Sequence, residues 1–415
     1  MNTSAGLPAQ LHAFARPTFS DFVDIVSGDG ACITDAHGVT YIDAMASLWF
    51  ANVGYGRREV VAAISEQAGR LHAYNTFEPF TTRPTDQLAE ALVEISPIPR
   101  SRVFFTNSGS EAVDTALKLA RSAQRRSGNP QRDVVIARDG GYHGTNYGGT
   151  SAQGIVPNRE GWGPLVPRIV HVPRHDSEAL ARAFADHPDQ VAAVLTEPVQ
   201  GASGVHPPTA DYLAATRRLC DIHGAYLIFD EVITGFGRLG DWFAATRFAV
   251  QPDLITFAKA LTSGYVPMGG VLVGPSVREP LEADPNEMLR HGYTYSGHAL
   301  ASAAALACLE VTRTDDLLAR ATAIGKRLQS GLAAIVADGL ANEARGIGAV
   351  WALGLSDDID AVAVRDAARA AGVIVRAMPA TLAMCPPLVI TDEQVDTVLD
   401  VLAASLATCA TANGK

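Results

Sequence analysis

The chain has 415 residues, of which 47% are hydrophobic and 19% are charged, and its formal net charge is −11. This length predicts two or three domains with buried cores, because domains typically hold about 100–200 residues. The acidic balance argues against nucleic-acid and anionic-membrane partners, which require a basic surface.

Residues 1–55 predict an extended arm followed by a small β-hairpin. The stretch GACITDAHGVTYIDAMA, residues 30–46, has two alternating runs on either side of the turn sequence DAHG. We expect this segment to belong to the smaller domain of the protein.

Residues 56–298 predict one large α/β domain. Helical segments at 111–126, 177–185 and 210–223 lie between short apolar runs, each bounded by turn-forming residues. Such runs are typical of strands buried on both faces of a mostly parallel, seven-stranded sheet. The runs are RVFFTN, DVVIARD, RIVHVP, VAAVLTEP, AYLIFDE, LITFAKA and GGVLVG.

Residues 299–415 predict a smaller α+β domain. A long helix begins near Ala299, and a short strand lies within GAVWALGL. A helix near 361–371, the apolar run VIVRAM and a final helix follow.

Cysteine usage and the N-terminus indicate a cytoplasmic protein. The five cysteines lie far apart and form no C-x-x-C pair, as expected of reduced thiols. The N-terminus MNTSAGLPAQLHAF lacks the basic start and apolar core of a signal peptide. No apolar run reaches the roughly 18–20 residues of a membrane span.

Residues capable of chemistry follow the predicted strands, one strand after another. Ligands of doubly wound sheets bind outside the carboxyl ends of the strands, so these residues predict a single site. They are Ser108, Gly109 and Ser110 after the first run, Tyr142 and His143 after the second, Glu197 after the fourth, Asp230 after the fifth and Lys259 after the sixth.

The sequence TNSGSEAVDTALKLAR predicts a glycine turn that leads into a helix. Ser108 and Glu111 fit a capping box, and the free N–H groups of the first turn suit a phosphate. The alternative is a helix cap with no ligand. The segment matches neither G-x-G-x-x-G nor the P-loop.

Lys259 is one of only four lysines and follows a buried strand. Burial lowers the pKa of an amine and makes it a nucleophile toward carbonyl groups. A lysine together with a carboxylate such as Asp230 is the pair that holds pyridoxal 5′-phosphate. The alternative for Lys259 is a surface position on a turn. We expect Glu231, beside Asp230, to be structural and to pair with an arginine.

Tyr142 and His143 each have two interpretations. Tyr142 could stack on a flat cofactor ring, or it could simply fill the core or the surface, and His143 is equally ambiguous. No histidines have metal-ligand spacing, so we expect no metal site.

At this point the sequence resembles a known family. LIFDEVITGFGR, followed about thirty residues later by LITFAKALTSGYVPMGGVLV, is similar to the signature of class III pyridoxal-phosphate aminotransferases. LWFANVGYGR, YNTF, GYHG, EPVQGASGV, HGYTYSGHA and CPPLVIT occur in the order of that family. The resemblance covers roughly residues 35–400 and implies the fold type I of pyridoxal-phosphate enzymes.

The resemblance also implies a role for each matching residue. Lys259 links covalently to the cofactor and moves the proton, and Asp230 pairs with the pyridine nitrogen. Tyr142 and Val232 pack on the two ring faces. The remaining cofactor contacts that it implies are Gly109 and Ser110 to the phosphate, Glu197 as support, and Thr294 to the phosphate of the other subunit's cofactor in a homodimer, with a tetramer also open.

Departures from the family pattern narrow the subgroup. Relatives acting on ornithine or 4-aminobutyrate have glutamine where this chain has Ile233 and glutamate where it has Ala202. The form DEVITGFGR resembles the ω-amino acid (β-alanine):pyruvate and amine:pyruvate transaminases. In these enzymes an arginine ten residues before the PP pair binds carboxylates, and Arg376 has that position. Trp49, Phe77 and Tyr142 would line the substrate pocket.

The resemblance therefore implies a ping-pong transaminase. It would move an amino group from an ω-amino acid or a primary amine to a 2-oxo acid, with pyruvate expected as the acceptor. An aminomutase or racemase on the same scaffold is the alternative, because it would use the same lysine and aspartate. The identity of the amine donor stays open.

Overall fold

The computed structural model describes residues 9–413. Its strands are β1 (Ile25–Asp29), β2 (Cys32–Asp35), β3 (Thr40–Asp43), β4 (Arg102–Thr106), β5 (Val134–Arg138), β6 (Ile169–Val172), β7 (Val191–Thr196), β8 (Tyr226–Asp230), β9 (Leu254–Phe257), β10 (Gly269–Val273), β11 (Glu343–Ile347), β12 (Val350–Gly354), β13 (Val373–Ile374), β14 (Arg376–Met378) and β15 (Thr381–Met384).

The α-helices lie between these strands and at the C-terminal end of the described chain. They are α1 (Ala46–Trp49), α2 (Arg58–Arg70), α3 (Arg83–Glu94), α4 (Gly109–Arg126), α5 (Tyr147–Ala152), α6 (Ser177–Asp186), α7 (Tyr212–His223), α8 (Ala244–Arg247), α9 (Pro275–Glu282), α10 (Ala299–Thr314), α11 (Leu317–Ala337), α12 (Ala361–Ala370) and α13 (Asp392–Asn413).

The central sheet has seven strands in the order β4-β10-β9-β8-β7-β5-β6. Pairing is parallel from β9 through β8, β7 and β5 to β6, whereas β10 is antiparallel to both β4 and β9. Every residue of β5, β7, β9 and β10 is buried. Burial on both faces explains the unbroken apolar runs, and the predicted α/β fold with its mostly parallel seven-stranded sheet is confirmed.

Successive residues of the central strands enter two separate cores. In β8, Leu227 and Phe229 belong to the apolar cluster that includes Leu213 of α7. Ile228, between them, belongs to the cluster of α4. This two-residue alternation places helices on both faces and leaves the carboxyl edge of the sheet open between them.

Two smaller sheets are formed by residues that come before and after the central sheet in the sequence. The predicted hairpin is present, because β2 pairs antiparallel with β3 in the sheet β1-β2-β3-β13. The run VIVRAM contributes to two sheets, since β13 joins β3 while β14 pairs with β15 in the sheet β11-β12-β15-β14. The change of partner falls at Val375, which is buried.

The segment predicted as one long helix from Ala299 consists of α10 and α11. The helical conformation is interrupted at Asp316, whose φ of +49° lies in the left-handed region that a right-handed helix does not use. Residues 9–55 share an apolar cluster with the C-terminal part of the described chain, for example Ala31 and Val53 with Leu332. The boundaries at 55 and 298 stay a prediction. None of the helices within residues 9–413 is long and apolar enough to cross a membrane.

Candidate active site

A cavity of about 120 Å³ opens at the carboxyl edge of the central sheet. It lies where α4 begins and where the loops after β5, β7, β8 and β9 meet. Eight of the thirteen predicted site residues line it: Gly109, Ser110, Tyr142, His143, Glu197, Asp230, Val232 and Lys259. The expectation of a single site at the strand ends therefore agrees with the geometry.

Asp230 ends β8 and is held through both carboxylate oxygens. Its Oδ2 lies 2.8 Å from Nδ1 of His143, and its Oδ1 accepts from Thr256 Oγ1 at 3.1 Å and from the Val232 amide at 3.2 Å. Asp230 is 5% exposed and His143 is 1% exposed. The carboxylate is thus fixed in orientation at the wall of the cavity.

Lys259 follows β9 and enters the same cavity. Its backbone φ is +44°, in the left-handed region where non-glycine residues are strained, and such strain is concentrated at functional sites. Burial lowers the pKa of the Lys259 amine, although the negative charges of Asp230 and Glu197 act in the opposite direction. A lowered pKa increases the fraction of neutral, nucleophilic amine near neutral pH.

The start of α4 forms a ready anion site. Ser108 caps the helix, its Oγ accepting from the Glu111 amide at 3.2 Å, and Glu111 accepts in return from the Asn107 amide at 2.7 Å. The amides of Gly109 and Ser110 have no acceptor within residues 9–413. Free N–H groups at a helix N-terminus favour a phosphate.

Close packing leaves no room for larger side chains than glycine at positions 109 and 144, beside the start of this helix. A Cβ at Gly109 would lie 3.0 Å from Val232, and a Cβ at Gly144 would lie 2.5 Å from Ser110 Oγ. Ser110 Oγ accepts from the Thr145 amide at 3.0 Å, so its own proton is free for a ligand. Two amides and a hydroxyl therefore face the cavity, and this donor set fits a phosphate group.

Glu197 connects two loops at the base of the cavity. Its Oε1 accepts from the Tyr142 amide at 2.9 Å and its Oε2 from the Gly201 amide at 3.0 Å. Burial raises the pKa of this carboxyl, His143 lowers it and Asp230 raises it further. Glu197 thereby fixes the backbone that carries Tyr142.

Arg376 in β14 lies beside the cavity without an ionic partner. Its Nε is buried and has no hydrogen-bond acceptor, and Tyr142 is the only titratable neighbour that acts on its guanidinium within the described residues. Burial lowers the pKa of its guanidinium, and the nearby Tyr142 opposes that effect. A half-buried arginine without an acid is a candidate for binding a substrate carboxylate.

The remaining predicted residues do not line this cavity. Trp49 is 2% exposed and packs in an apolar cluster with Ile233, which does line the cavity. Phe77 is 52% exposed, and its ring lies about 3.1 Å from where a Cβ at Gly292 would sit. Thr294, two residues further on, is also exposed. The roles of these residues in substrate and cofactor binding stay predictions.

The expectation that Glu231 pairs with an arginine is wrong. Its carboxylate accepts from the amides of Ala244 and Ala245 at 2.5 and 2.9 Å, and from Thr234 Oγ1 at 3.1 Å. These amides begin α8, where free N–H groups replace the cation that the sequence suggested. Burial raises the pKa of Glu231 to about 7.

Sequence reasoning missed two contributors to the site. Thr256 lies opposite Asp230 in the sheet register and donates to it. A polar residue inside the otherwise apolar run LITF was the available signal. Gly144 ends the GYHG motif and lets the chain pass against Ser110, but only its φ of +91° reveals the need for glycine.

Known proteins resemble this chain along most of its length. The profile of the family Aminotransferase class-III matches residues 13–406. The putrescine--pyruvate aminotransferase of Pseudomonas aeruginosa is 36% identical, covering 92% of this chain and 91% of that protein. The beta-alanine--pyruvate aminotransferase of the same species is 37% identical over 74% of this chain and 73% of its own.

A solved structure matches along nearly the whole chain. It is an amine transaminase from an uncultivated Pseudomonas species in its PLP-bound form, with a TM-score of 0.92 and 35% identity, covering 96% of this chain and 98% of that one. The sequence match, the fold and the residues gathered in the cavity lead to one conclusion: the chain belongs to the class III aminotransferases.

Proposed function

We propose that this aminotransferase is an ω-transaminase that uses pyridoxal phosphate and transfers an amino group from an ω-amino acid or primary amine to pyruvate. One observation carries the proposal. A lysine amine with a lowered pKa shares a cavity with the anchored carboxylate of Asp230, and the unpaired Arg376 lies beside it. The names of the pyruvate-dependent relatives support the acceptor.

Each part of the cofactor has a complementary group in the cavity. The Gly109 and Ser110 amides and the Ser110 hydroxyl would hold the phosphate, and Asp230 would hold the protonated ring nitrogen. Tyr142 and Val232 would pack on the ring faces. When bound, the cofactor supplies an aldehyde that condenses with amines and a ring that accepts negative charge.

Lys259 has two tasks in this proposal. Its amine would form the covalent link to the cofactor and, once free of that link, would take the proton from the donor's amine-bearing carbon. A neutral amine is required for both tasks, and burial favours that form. Asp230, oriented by His143 and Thr256, would keep the ring nitrogen protonated.

Arg376 selects the substrates. Its guanidinium would bind the carboxylate of pyruvate, or of an ω-amino acid, as a bidentate pair. Pyruvate and the amine donor would occupy the same site in succession, and the first product would leave before the second substrate binds, as in a ping-pong reaction.

A second copy of the chain completes the site in this proposal. Phe77 and Thr294 are exposed near each other and lie outside the cavity of their own chain. We propose that they enter the site of the partner in a homodimer, where Thr294 contacts the cofactor phosphate.

A donor panel with competing acceptors tests the proposal. The enzyme loaded with pyridoxal phosphate is given β-alanine, 4-aminobutyrate, putrescine and 1-phenylethylamine, each with an equimolar mixture of pyruvate and 2-oxoglutarate. We expect alanine to form in excess over glutamate. When the concentrations of both substrates are varied, double-reciprocal plots of the initial rates should give parallel lines. Glutamate as the main product would overturn the acceptor, and no amino transfer from any donor would overturn the proposed function.

A further inference from the structure

The segment of residues 286–297, between α9 and α10, carries Thr294 and contains no helix or strand. A cavity of about 370 Å³ separates its first half from α4, with Leu119 and Ser122 on the helix side. The apolar side chains of this half, Met288 and Leu289, are exposed. Its position depends on polar contacts.

His291 makes those contacts three residues before Thr294. Its ring stacks on Phe104, with centroids 5.2 Å apart and planes 6° from parallel. Its Nδ1 lies 2.9 Å from Lys118 Nζ, and its Nε2 lies 2.9 Å from Thr115 Oγ1. Within the described chain, all side-chain hydrogen bonds of residues 288–292 come from His291.

These contacts define where the protons lie. An ammonium group only donates, so Nδ1 of His291 accepts from Lys118 and the ring proton is on Nε2, which donates to Thr115. Thr115 then donates to the Tyr293 hydroxyl at 3.1 Å, and Tyr293 donates to the Glu111 carbonyl at 3.2 Å. Two residues of the segment are thereby bonded to α4 in one directed chain.

The ends of the segment are attached separately. Glu287 pairs with Arg126 at 2.9 Å, and the carbonyls of Ser296 and Gly297 accept from Thr76 and Thr85. His291 and Tyr293 fix the middle of the segment. Because α4 packs on the central sheet, these contacts hold Thr294 in a fixed position on its own subunit, from which it would reach the partner.

We propose that His291 is a positioning residue that fastens the 286–297 segment to α4 and so holds Thr294 where it reaches the phosphate of the partner's cofactor. The inference rests on the proposed function, since it requires that cofactor. It adds a role for a residue that does not line the cavity. The role is distinct from general stability because it acts through Thr294.

A double-mutant cycle on the holoenzyme tests it. His291→Phe keeps the stacking on Phe104 and removes both ring hydrogen bonds, and Thr294→Ala removes the phosphate ligand. We expect each variant to bind pyridoxal phosphate about tenfold more weakly, the loss expected for one charge-assisted hydrogen bond. The double variant should be no weaker than Thr294→Ala alone. With saturating cofactor, kcat of His291→Phe should stay near that of the wild type, because His291 does not line the cavity.

The matched control is His223→Phe. His223 also stacks on a phenylalanine, Phe184, with centroids 4.6 Å apart, but it lies on α7 away from the segment. We expect unchanged cofactor affinity in this variant. Lys118→Met removes only the donor to Nδ1 and should cause a smaller loss of cofactor affinity. It replaces His291→Phe in the test if that variant does not fold.

Three outcomes would overturn the proposal. Wild-type affinity in both His291→Phe and Lys118→Met would show that the tether is unnecessary. Losses that multiply to about a hundredfold in the double variant would show that His291 and Thr294 act independently. Wild-type cofactor affinity in Thr294→Ala would show that Thr294 does not bind the phosphate, so that His291 could not act through it. The proposed function is judged separately, by amino transfer and cofactor binding in the wild type.

Discussion

Opposing influences act on the amine of Lys259. Burial favours the neutral form, and Arg376 acts in the same direction, whereas Asp230 and Glu197 favour the ammonium. Burial is the largest of these influences and the pKa falls. The two acids are held by hydrogen bonds from neighbouring groups, so they remain close to the amine without forming an ion pair with it.

Replacement of Lys259 should separate cofactor binding from catalysis. Lys259→Ala keeps the phosphate site and Asp230, so we expect weak cofactor binding. Amino transfer should fall by at least about 10³-fold, because the proton-transferring group is lost. The measurement is kcat with an amine donor and pyruvate. Lys326→Ala, at an exposed position on α11, is the matched control. Normal turnover by Lys259→Ala would refute the mechanism.

Arg376 should affect one substrate more than the other. Arg376→Ala removes the bidentate partner of the pyruvate carboxylate, which is worth about 1.5–3 kcal/mol and raises KM about 10- to 100-fold. KM for an arylalkylamine donor, which has no carboxylate, should change little. Arg369→Ala, on the exposed part of α12, controls for loss of positive charge. Equal changes in both KM values would exclude this role.

At the scale of single elements, α4 links several features of the site. Its N-terminus presents the free amides of Gly109 and Ser110, its buried face packs on the central sheet, and its middle turns hold His291. The helix ends at Ser127, followed by Gly128 with φ of +84°. Two glycines with positive φ therefore lie at the ends of α4. Gly144 packs against Ser110 in its first turn, and Gly128 follows its last turn.

These two glycines allow strain to be separated from steric conflict. Gly128→Ala places a Cβ in open space, so it costs about 1 kcal/mol of backbone strain. Gly144→Ala adds a conflict with Ser110, whose Cα would lie 2.8 Å away, and should cost about 3 kcal/mol in total. Denaturant unfolding and cofactor titration of both variants test this. Only Gly144→Ala should weaken cofactor binding. Equal cofactor affinities in the two variants would contradict the assignment of the α4 N-terminus as the phosphate site.

At the scale of the whole molecule, Arg138, Arg174 and Arg345 lie close enough to two histidines to act on their pKa values. Burial lowers the pKa of His175 to about 4, with help from Arg138 and Arg174. Burial also lowers the pKa of His206 to about 4, with help from Arg174 and Arg345. Both histidines are therefore neutral in the folded protein at pH values where free histidine becomes protonated.

Stability should depend on pH through these histidines. Between about pH 6.5 and 4 the unfolded chain binds protons that the folded chain does not, so their contribution to stability is present above about 6.5 and lost as pH falls. His206→Gln removes one such group. We expect Tm of the wild type to fall more than Tm of the variant between about pH 7.5 and about pH 5.5. Equal or larger losses in the variant would refute the assignment.

The sequence predicted the central strands, their burial and the residues at their carboxyl ends, because strands buried on both faces require apolar residues at every position. Together with the family resemblance, it predicted eight of the residues that line the cavity, among them Gly109 and Lys259. Tertiary structure decided the contacts between segments distant in sequence: His143 on Asp230, Glu231 on the start of α8, and Arg376 beside Tyr142. It also divided residues 373–378 between two sheets. These contacts depend on how separate loops pack against each other, and no local pattern of residues encodes that packing.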